Sequence, residues 1–396
     1  MLIEFSVENY KCFATQQTLN MRPDPDIHAL DENLIRTGLT QENGKELELL
    51  PTVAIYGANA SGKSNLLTGL FRTSKLPILS NSALFESFFM NRKNSTYSLN
   101  QFYIFKDSNK PVSFKMQTKI ESDNSDSRKK SGVFYSIDSE KTNIEHYVIT
   151  DKQAYNSIQQ TYSSNYHGFS YSRPYYFLNE ILDQSLPNER GVFESRHDEP
   201  IPLMATLDEP ERKAKLKQLL RKADFNIEDI TAHKAQSGKN KTLYTLEFKI
   251  KGQEETLWYN DQSEGTKRFL LMMPTIVHVL ETGAILLADE LEQHLHPDLC
   301  KAIVELFNSR ETNPHGSQLI FTTHNLELMD LNRMRPDQIY FINKDEETGA
   351  SELYRASDYD MDWNNDEKWS NPAITIQLLY EMGRFSAHPK LWGGLA

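Results

Sequence analysis

The sequence predicts an α/β fold, and three observations carry that prediction. Thr52-Val53-Ala54-Ile55-Tyr56 is a short β-branched run that reads as a buried strand, and it leads directly into a glycine loop and an apolar helix. Ile285 to Ala288 and Gln318 to Thr322 are two more buried strands, each ending in polar residues. Strand-like alternation also fills residues 1–21 and much of 90–150. The expected architecture is a mixed β-sheet core with an antiparallel β subdomain and a helical lobe.

Composition narrows the class. With 396 residues, 25% charged and 38% hydrophobic, the chain is that of a globular protein with two or three domains. No apolar run approaches the roughly 20 residues that span a bilayer. Met1-Leu2-Ile3-Glu4-Phe5 has neither the basic region nor the apolar core of a secretion signal. Cys12 and Cys300 are the only cysteines, which argues against a disulfide framework and for the reducing cytoplasm. The net charge of −12 does not suit wholesale adhesion to nucleic acid, although a local basic face stays open.

In chain order, residues 1–21 read as two antiparallel strands flanking Asn9-Tyr10-Lys11-Cys12-Phe13. Residues 22–48 are polar, hold Pro23 and Pro25, and read as a loop with one weak helix. Gly57-Ala58-Asn59-Ala60-Ser61-Gly62-Lys63-Ser64 fits the phosphate-loop spacing Gly-x-x-x-x-Gly-Lys-Ser/Thr. Two glycines let the backbone wrap a phosphate so that successive N–H groups face the anion. Lys63 brings positive charge to the terminal phosphates, and the Ser64 hydroxyl is a hard oxygen suited to magnesium. The helix after the loop, from Asn65 to Phe71, stops near Pro77.

Strands follow at Gln101 to Phe105, Val112 to Thr118, Val133 to Ile137 and His146 to Ile149, with the polar stretch Ser122–Gly132 between two of them. Tyr155, Tyr162, Tyr166, Tyr171, Tyr175 and Tyr176 sit among Ser, Asn and Gln, as a surface loop or as a platform for unpaired bases. Asp208 is an N-cap candidate ahead of Pro210, and the helix Arg212 to Ala223 carries leucines opposite a basic face (Arg212, Lys213, Lys215, Lys217, Arg221, Lys222). That face is solvated surface or a contact for phosphate backbones. Thr242–Ile250 and Glu255–Tyr259 look like a hairpin. Asp261-Gln262-Ser263-Glu264-Gly265-Thr266-Lys267-Arg268 then opens a long apolar helix to Leu280, whose start offers N–H groups and a hydroxyl to an anion. Asp289 and Glu290 end the strand before them and point different ways, one to orient a magnesium shell and one to take a proton from attacking water. His324, at the tip of the strand Gln318–Thr322, is placed to hydrogen-bond a departing phosphate.

This order of motifs resembles an ATP-binding-cassette (ABC-type) P-loop ATPase head of the RecF and SMC branch. More narrowly it is similar to the stand-alone ATPases of bacterial anti-phage and abortive-infection systems, the RloA or AbiLii type. Asn9 to Phe13 is similar to the branch's N-terminal motif, which implies a nucleotide contact from Lys11. Gly57 to Asn65 matches its phosphate loop, with nucleotide contacts from Gly57, Asn59, Ala60, Ser61, Gly62, Lys63, Ser64 and the trailing Asn65. Ser263-Glu264-Gly265-Thr266 takes the place of the cassette signature, Leu295-His296-Pro297 that of the D-loop, and His324 that of the switch histidine. Asp289 and Glu290 fall at the magnesium and catalytic positions. Gln184, at the end of Phe177-Leu178-Asn179-Glu180-Ile181-Leu182-Asp183-Gln184, takes the glutamine that joins the lobes at the metal. Gly383-Arg384-Phe385 also resembles the defence group. Two departures stand out: Glu264 replaces the Gly of transporters, and no heptad segment or Cys-x-x-Cys hook lies between the halves, which excludes long-armed tethers.

The resemblance implies ATP and Mg²⁺ as ligands and a homodimer or higher homo-oligomer in which the signature of one copy covers the nucleotide of the other. Glu290 would act as general base, with hydrolysis releasing the pair. It also implies a separately encoded effector, a nuclease or toxin, since Asp358-x-Asp360-x-Asp362 reads as an acidic loop and not as a nuclease metal site. A RecF-like DNA-binding repair ATPase and a transporter cassette are the competing readings, the first opposed by the net charge and the second by the signature. The implied layout is a first nucleotide-binding half at 1–90, an interposed β/helical lobe at 91–240, a second nucleotide-binding half at 241–345 and a C-terminal extension at 346–396.

Overall fold

The computed structural model describes residues 1–40, 43–75, 96–107, 110–122, 131–139, 142–143, 147–149, 175–196, 201–222, 226–237, 241–359, 361, 363–364 and 375–385. Tyr155, Tyr162, Tyr166, Tyr171, His146, Asp360, Asp362 and residues 123–130 lie outside the described residues.

The strands are, in order, β1 (Leu2–Glu8), β2 (Gln17–Asn20), β3 (Ile35–Thr40), β4 (Glu46–Leu49), β5 (Thr52–Tyr56), β6 (Thr96–Asp107), β7 (Lys110–Ser122), β8 (Ser131–Ser139), β9 (Thr142–Asn143) and β10 (Tyr147–Ile149). They continue as β11 (Tyr175–Phe177), β12 (Phe193–Arg196), β13 (Ile227–Gln236), β14 (Lys241–Ile250), β15 (Thr256–Trp258), β16 (Ile285–Ala288), β17 (Gln318–Thr322), β18 (Ile339–Lys344) and β19 (Ser351–Arg355). The helices are α1 (Lys63–Lys75), α2 (Leu178–Ser185), α3 (Pro202–Asp208), α4 (Pro210–Lys222), α5 (Glu264–Thr282), α6 (Pro297–Asn308) and α7 (Ile376–Glu381).

The central sheet runs β11-β16-β17-β5-β18-β19 and is parallel except for the final hairpin. Every residue of β5, β16 and β17 is buried, which is why these strands read as continuous apolar runs and not as alternation. Alternation survives as a division between two cores. Val53, Ile55, Ile285, Leu287, Ile320, Tyr340 and Ile342 face a layer made by α1 and the β1–β4 region. Ala54, Leu286, Ala288, Leu319, Phe321, Ile339 and Phe341 face the helical layer of α3, α4, α5 and α6. The α1 leucines Leu66, Leu67 and Leu70 are fully buried between the central sheet and a second, antiparallel sheet ordered β10-β8-β7-β6-β1-β2. The mixed core, the antiparallel β subdomain and the helical lobe are therefore all present.

Several local expectations change. Residues 22–34 are a loop with one short 3-10 turn at Asp31–Asn33, but the remainder of 22–48 forms the antiparallel hairpin β3–β4. The half-buried alternation of Glu46–Leu49 is the signal for it, masked by the polar context. Asp208 closes α3 instead of capping the next helix, and its carboxylate pairs with Lys234 at 2.7 Å. The boundary expected at 240 falls between β13 and β14, which pair along nearly their whole length, and that at 345 falls between the paired β18 and β19. From residues 375–385, Ile376, Tyr380 and Phe385 join the core: Phe385, fully buried, stacks on Phe341 with centroids 4.6 Å apart.

Candidate active site

Parallel register sets the stage. Ala288 lies beside Phe321 and Thr322 beside Ile55, so the carboxyl ends of β5, β16 and β17 open together on one edge. In open α/β sheets this is where ligands bind. The edge carries the loop after Tyr56, the pair Asp289-Glu290 and the turn at Thr323-His324.

The glycine loop is held in a shape few residues tolerate. Gly57 and Gly62 take φ of 151° and 117°, and Ala60 sits at 60°. A Cβ on Gly62 would stand 2.6 Å from Cys12 Sγ and 3.2 Å from Ser351 Oγ, while one on Gly57 would run into the Ile342 carbonyl. The clamp is built from distant parts of the chain. Ser351 Oγ donates to the Ser61 carbonyl at 2.6 Å, and the Ser351 amide donates to the Cys12 carbonyl at 2.7 Å. Lys11, itself at φ 51°, donates from Nζ to Asn65 Oδ1 at 3.2 Å, and Asn65 Nδ2 donates to Cys12 Sγ at 3.3 Å. Lys11 and Asn65 thus meet at the start of α1, beside the loop.

Lys63 is buried and folds back across the loop, donating from Nζ to the carbonyls of Gly57 at 2.8 Å and Ala58 at 3.0 Å. Burial pulls its pKa down, and the negative charges of Asp289, Glu290 and Glu292 work against that pull. The ammonium thus shares its field with three carboxylates from the neighbouring strand end. Ser61 Oγ is buried in the loop without a hydrogen-bond partner, and Ser64 is exposed in the first turn of α1.

Thr322 organises the acidic corner. Its Oγ1 donates to Asp289 Oδ1 at 2.6 Å and accepts from the Glu290 amide at 2.8 Å. Asn179, at the start of α2, grips the backbone of Asp289 twice, donating from Nδ2 to its carbonyl and accepting its N–H on Oδ1, both at 2.9 Å. Glu290 then takes a left-handed φ of 50° as the chain leaves the strand. Glu292 accepts the His324 amide on Oε1 at 2.6 Å and so ties the two strand ends together. Burial, followed by the charge of Lys63, holds the His324 imidazole below its usual range.

Sequence reasoning did not single out Asn179, Thr322 or Glu292. Gln184 stands five residues beyond Asn179, in the last turn of α2, and Asn179 touches the Asp289 corner. The signature stretch Ser263 to Thr266 forms the start of α5, inside the segment Asp261–Arg268 expected to open that helix. Ser263 is the N-cap of α5, accepting the Thr266 amide at 3.2 Å, with Oγ 2.8 Å from Thr266 Oγ1. Glu264 is exposed and pairs with Lys267 at 2.8 Å. A Cβ on Gly265 would stand 3.1 Å from the His294 carbonyl, so the signature turn packs on the loop that follows Glu290. His296 caps α6, whose first residue is Pro297.

Among the described residues, no three His, Cys, Asp or Glu converge as a protein-only metal cage. Ser64 and Asp289 supply a hydroxyl and a carboxylate, a donor set that suits Mg²⁺ taking its other ligands from phosphate oxygens and water. No helix among the described residues is long and apolar enough to cross a membrane.

The family model described as "AAA domain, putative AbiEii toxin, Type IV TA system" matches residues 53–330. No curated protein matches the chain. Among solved structures, the "SmcHead bound to the C-winged helix domain of ScpA" is 12% identical, covers 89% of this chain and 97% of its own, and superposes with a TM-score of 0.50. The SMC head domain from Thermotoga maritima covers 89% and 98% at 12% identity and a TM-score of 0.45. CbiO1 from Clostridium perfringens, part of the ABC transporter complex cbiONQ, covers 83% and 90% at 12% identity and 0.31. The likeness is one of fold, that of an SMC or ABC-type ATPase head.

Proposed function

The chain belongs to the AAA domain family described by that model, a P-loop ATPase, and from this premise we propose that it binds and hydrolyses ATP with Mg²⁺ at a head-to-tail dimer interface. We place it as a nucleotide switch for a separately encoded effector in anti-phage defence. The observation that carries the ATPase reading is the convergence of the Lys63 loop, Asp289, Glu290 and His324 on one sheet edge.

In this reading the loop amides from Gly57 to Ser64, with Lys11 and Asn65 beside them, receive the phosphates. Lys63 exchanges the carbonyls of Gly57 and Ala58 for phosphate oxygens, a swap that favours the bound state because the new partners are charged. Ser64 and Asp289 would hold Mg²⁺, which when bound neutralises charge on the phosphates. Gln184 stays a candidate second ligand. Glu290 takes a proton from the attacking water as its oxygen bonds to the γ-phosphorus and the bridge to ADP breaks. His324 donates to the γ-phosphate as charge moves. Ser263, Glu264, Gly265 and Thr266 cover the nucleotide of the second copy. The exposure of Ser263 and Glu264, and their position beside the loop after Glu290, support that role. Closed and open states then differ by the energy of two shared nucleotides, as a switch requires.

The test is Glu290→Gln. It should retain ATP, lose turnover by about a thousandfold or more, as loss of a general base does, and shift to a dimer or larger assembly in light scattering when ATP is added. A variant that hydrolyses normally, or that stays monomeric with ATP bound, ends this reading.

A further inference from the structure

Arg268 lies in the second turn of α5, five residues beyond the Ser263 cap, and points into the protein instead of out to the signature surface. Its Nε is buried and has no hydrogen-bond partner. Burial lowers its pKa, and the charges that work against that pull include Asp183, Cys300, Glu290 and Glu292. Glu292 is the complementary case. One of its oxygens accepts the His324 amide at 2.6 Å, and the other, Oε2, is buried without a partner. Its charge also reaches Tyr56, Lys63 and Cys300.

A buried guanidinium nitrogen and a buried carboxylate oxygen, both unsatisfied and in each other's field, are costly to keep apart. The signature turn packs on the loop that carries Glu292: a Cβ on Gly265 would stand 3.1 Å from the His294 carbonyl. Glu292 in turn holds the His324 backbone.

We propose that Arg268 is a positioning residue that couples the signature end of α5 to the hydrolytic corner of its own chain, with Glu292 as its counterpart. The inference rests on the dimeric ATPase reading given above. When the α5 terminus engages a nucleotide held by a second copy, Arg268 closes on Glu292 and fixes the His324 turn and the approach of Glu290. Each copy then hydrolyses its own ATP in response to the other's, and the two sites act in concert.

The test compares wild type, Arg268→Met, Arg268→Lys, Glu292→Gln and the double variant Arg268→Met/Glu292→Gln as full-length chains. ATPase rate is measured against ATP concentration with Mg²⁺, alongside equilibrium ATP binding, light scattering and thermal unfolding. Wild type should show a Hill coefficient above one. Arg268→Met and Glu292→Gln should each lose about tenfold in kcat, the range of ordinary coupling between sites, and drop to a Hill coefficient of one. ATP affinity should stay within about twofold, because the effect is confined to the transition state. The double variant should be no worse than either single one, and Arg268→Lys should recover most of the cooperativity. Unchanged kcat and Hill coefficient in both single variants, or fully additive losses in the double, overturn the coupling. So does a fall in unfolding temperature that Arg268→Lys shares equally, which would make the residue merely structural. If wild type neither hydrolyses ATP nor assembles, the dimeric ATPase reading falls and this inference with it; if wild type does both while Arg268→Met behaves identically, only the coupling falls.

Discussion

Thr322→Val removes one hydroxyl and leaves every charge of the site in place. The side chain is fully buried, so no water can take over its bonds. The bond to Asp289 Oδ1, at 2.6 Å, has a charged acceptor and contributes about 1.5–3 kcal/mol; that from the Glu290 amide, at 2.8 Å, contributes about 0.5–1.5 kcal/mol. The loss is therefore about 2–4.5 kcal/mol. At about 1.4 kcal/mol per factor of ten, that is about 30-fold to 2,000-fold in kcat/KM if both bonds act by holding the carboxylates for the transition state. ATP affinity should change little, because the loop amides and Lys63 are untouched. Thr322→Ser keeps the hydroxyl and should recover most of the activity. Steady-state hydrolysis with Mg²⁺ and equilibrium binding separate the two quantities. Thr322→Val activity within threefold of wild type would refute the idea that this hydroxyl aligns the acidic corner.

Gly62→Ala must accommodate a left-handed backbone and a Cβ pressed on Cys12 Sγ, so it should lower stability by about 1–3 kcal/mol and weaken nucleotide binding; unchanged unfolding temperature would show that the loop yields. His324 binds its proton more weakly folded than unfolded, so the stability linked to it is present above its usual value of 6.5 and is lost as pH falls below. Unfolding temperature against pH should therefore drop more steeply for wild type than for His324→Gln on the acid side, and parallel curves would contradict the shift. Phe385→Ala should cost about 3–5 kcal/mol in thermal or urea unfolding, as removal of a fully buried aromatic does, and a loss below about 1 kcal/mol would mean that residues 375–385 are not part of the core.

How much was legible depends on whether a signal was local. The glycine loop could be read because its spacing is its chemistry: each residue from Gly57 to Ser64 acts through its own backbone or its own head group. The buried strands β5, β16 and β17 announced themselves as apolar runs. The hairpin β3–β4 did not, because its partly exposed strands carry polar residues and follow two prolines. The basic face of α4, open in the sequence to solvent or to phosphate backbones, meets partners that no local pattern shows. Lys213 and Lys217 both reach Asp229 at 3.2 Å, Lys215 reaches Glu281 at 3.2 Å, and Arg212 reaches Glu209 at 3.1 Å. A stripe that looks open to phosphate backbones along the helix is in large part answered by acidic residues from β13 and α5, which no periodicity along α4 can reveal. Arg212, Lys213, Lys215 and Lys217 are thus engaged within the chain itself.

The site illustrates the same limit at higher stakes. Asp289 and Glu290 were visible as a pair, but what holds them is a left-handed turn at Glu290 and a hydroxyl delivered by Thr322 from the adjacent strand. Shifting β17 by one residue against β16 would put Phe321 or Thr323 in that place, so the role belongs to the register and not to the residue type. Asn179 is a similar case, recognisable in its string yet assigned its contact only once α2 follows β11 at the sheet edge. Arg268 and Glu292 are legible in neither composition nor motif: an arginine on a helix and a glutamate in a loop are ordinary surface residues by base rate. Only their burial with one polar atom each unanswered marks them, and an unanswered polar atom inside a folded chain calls for an explanation.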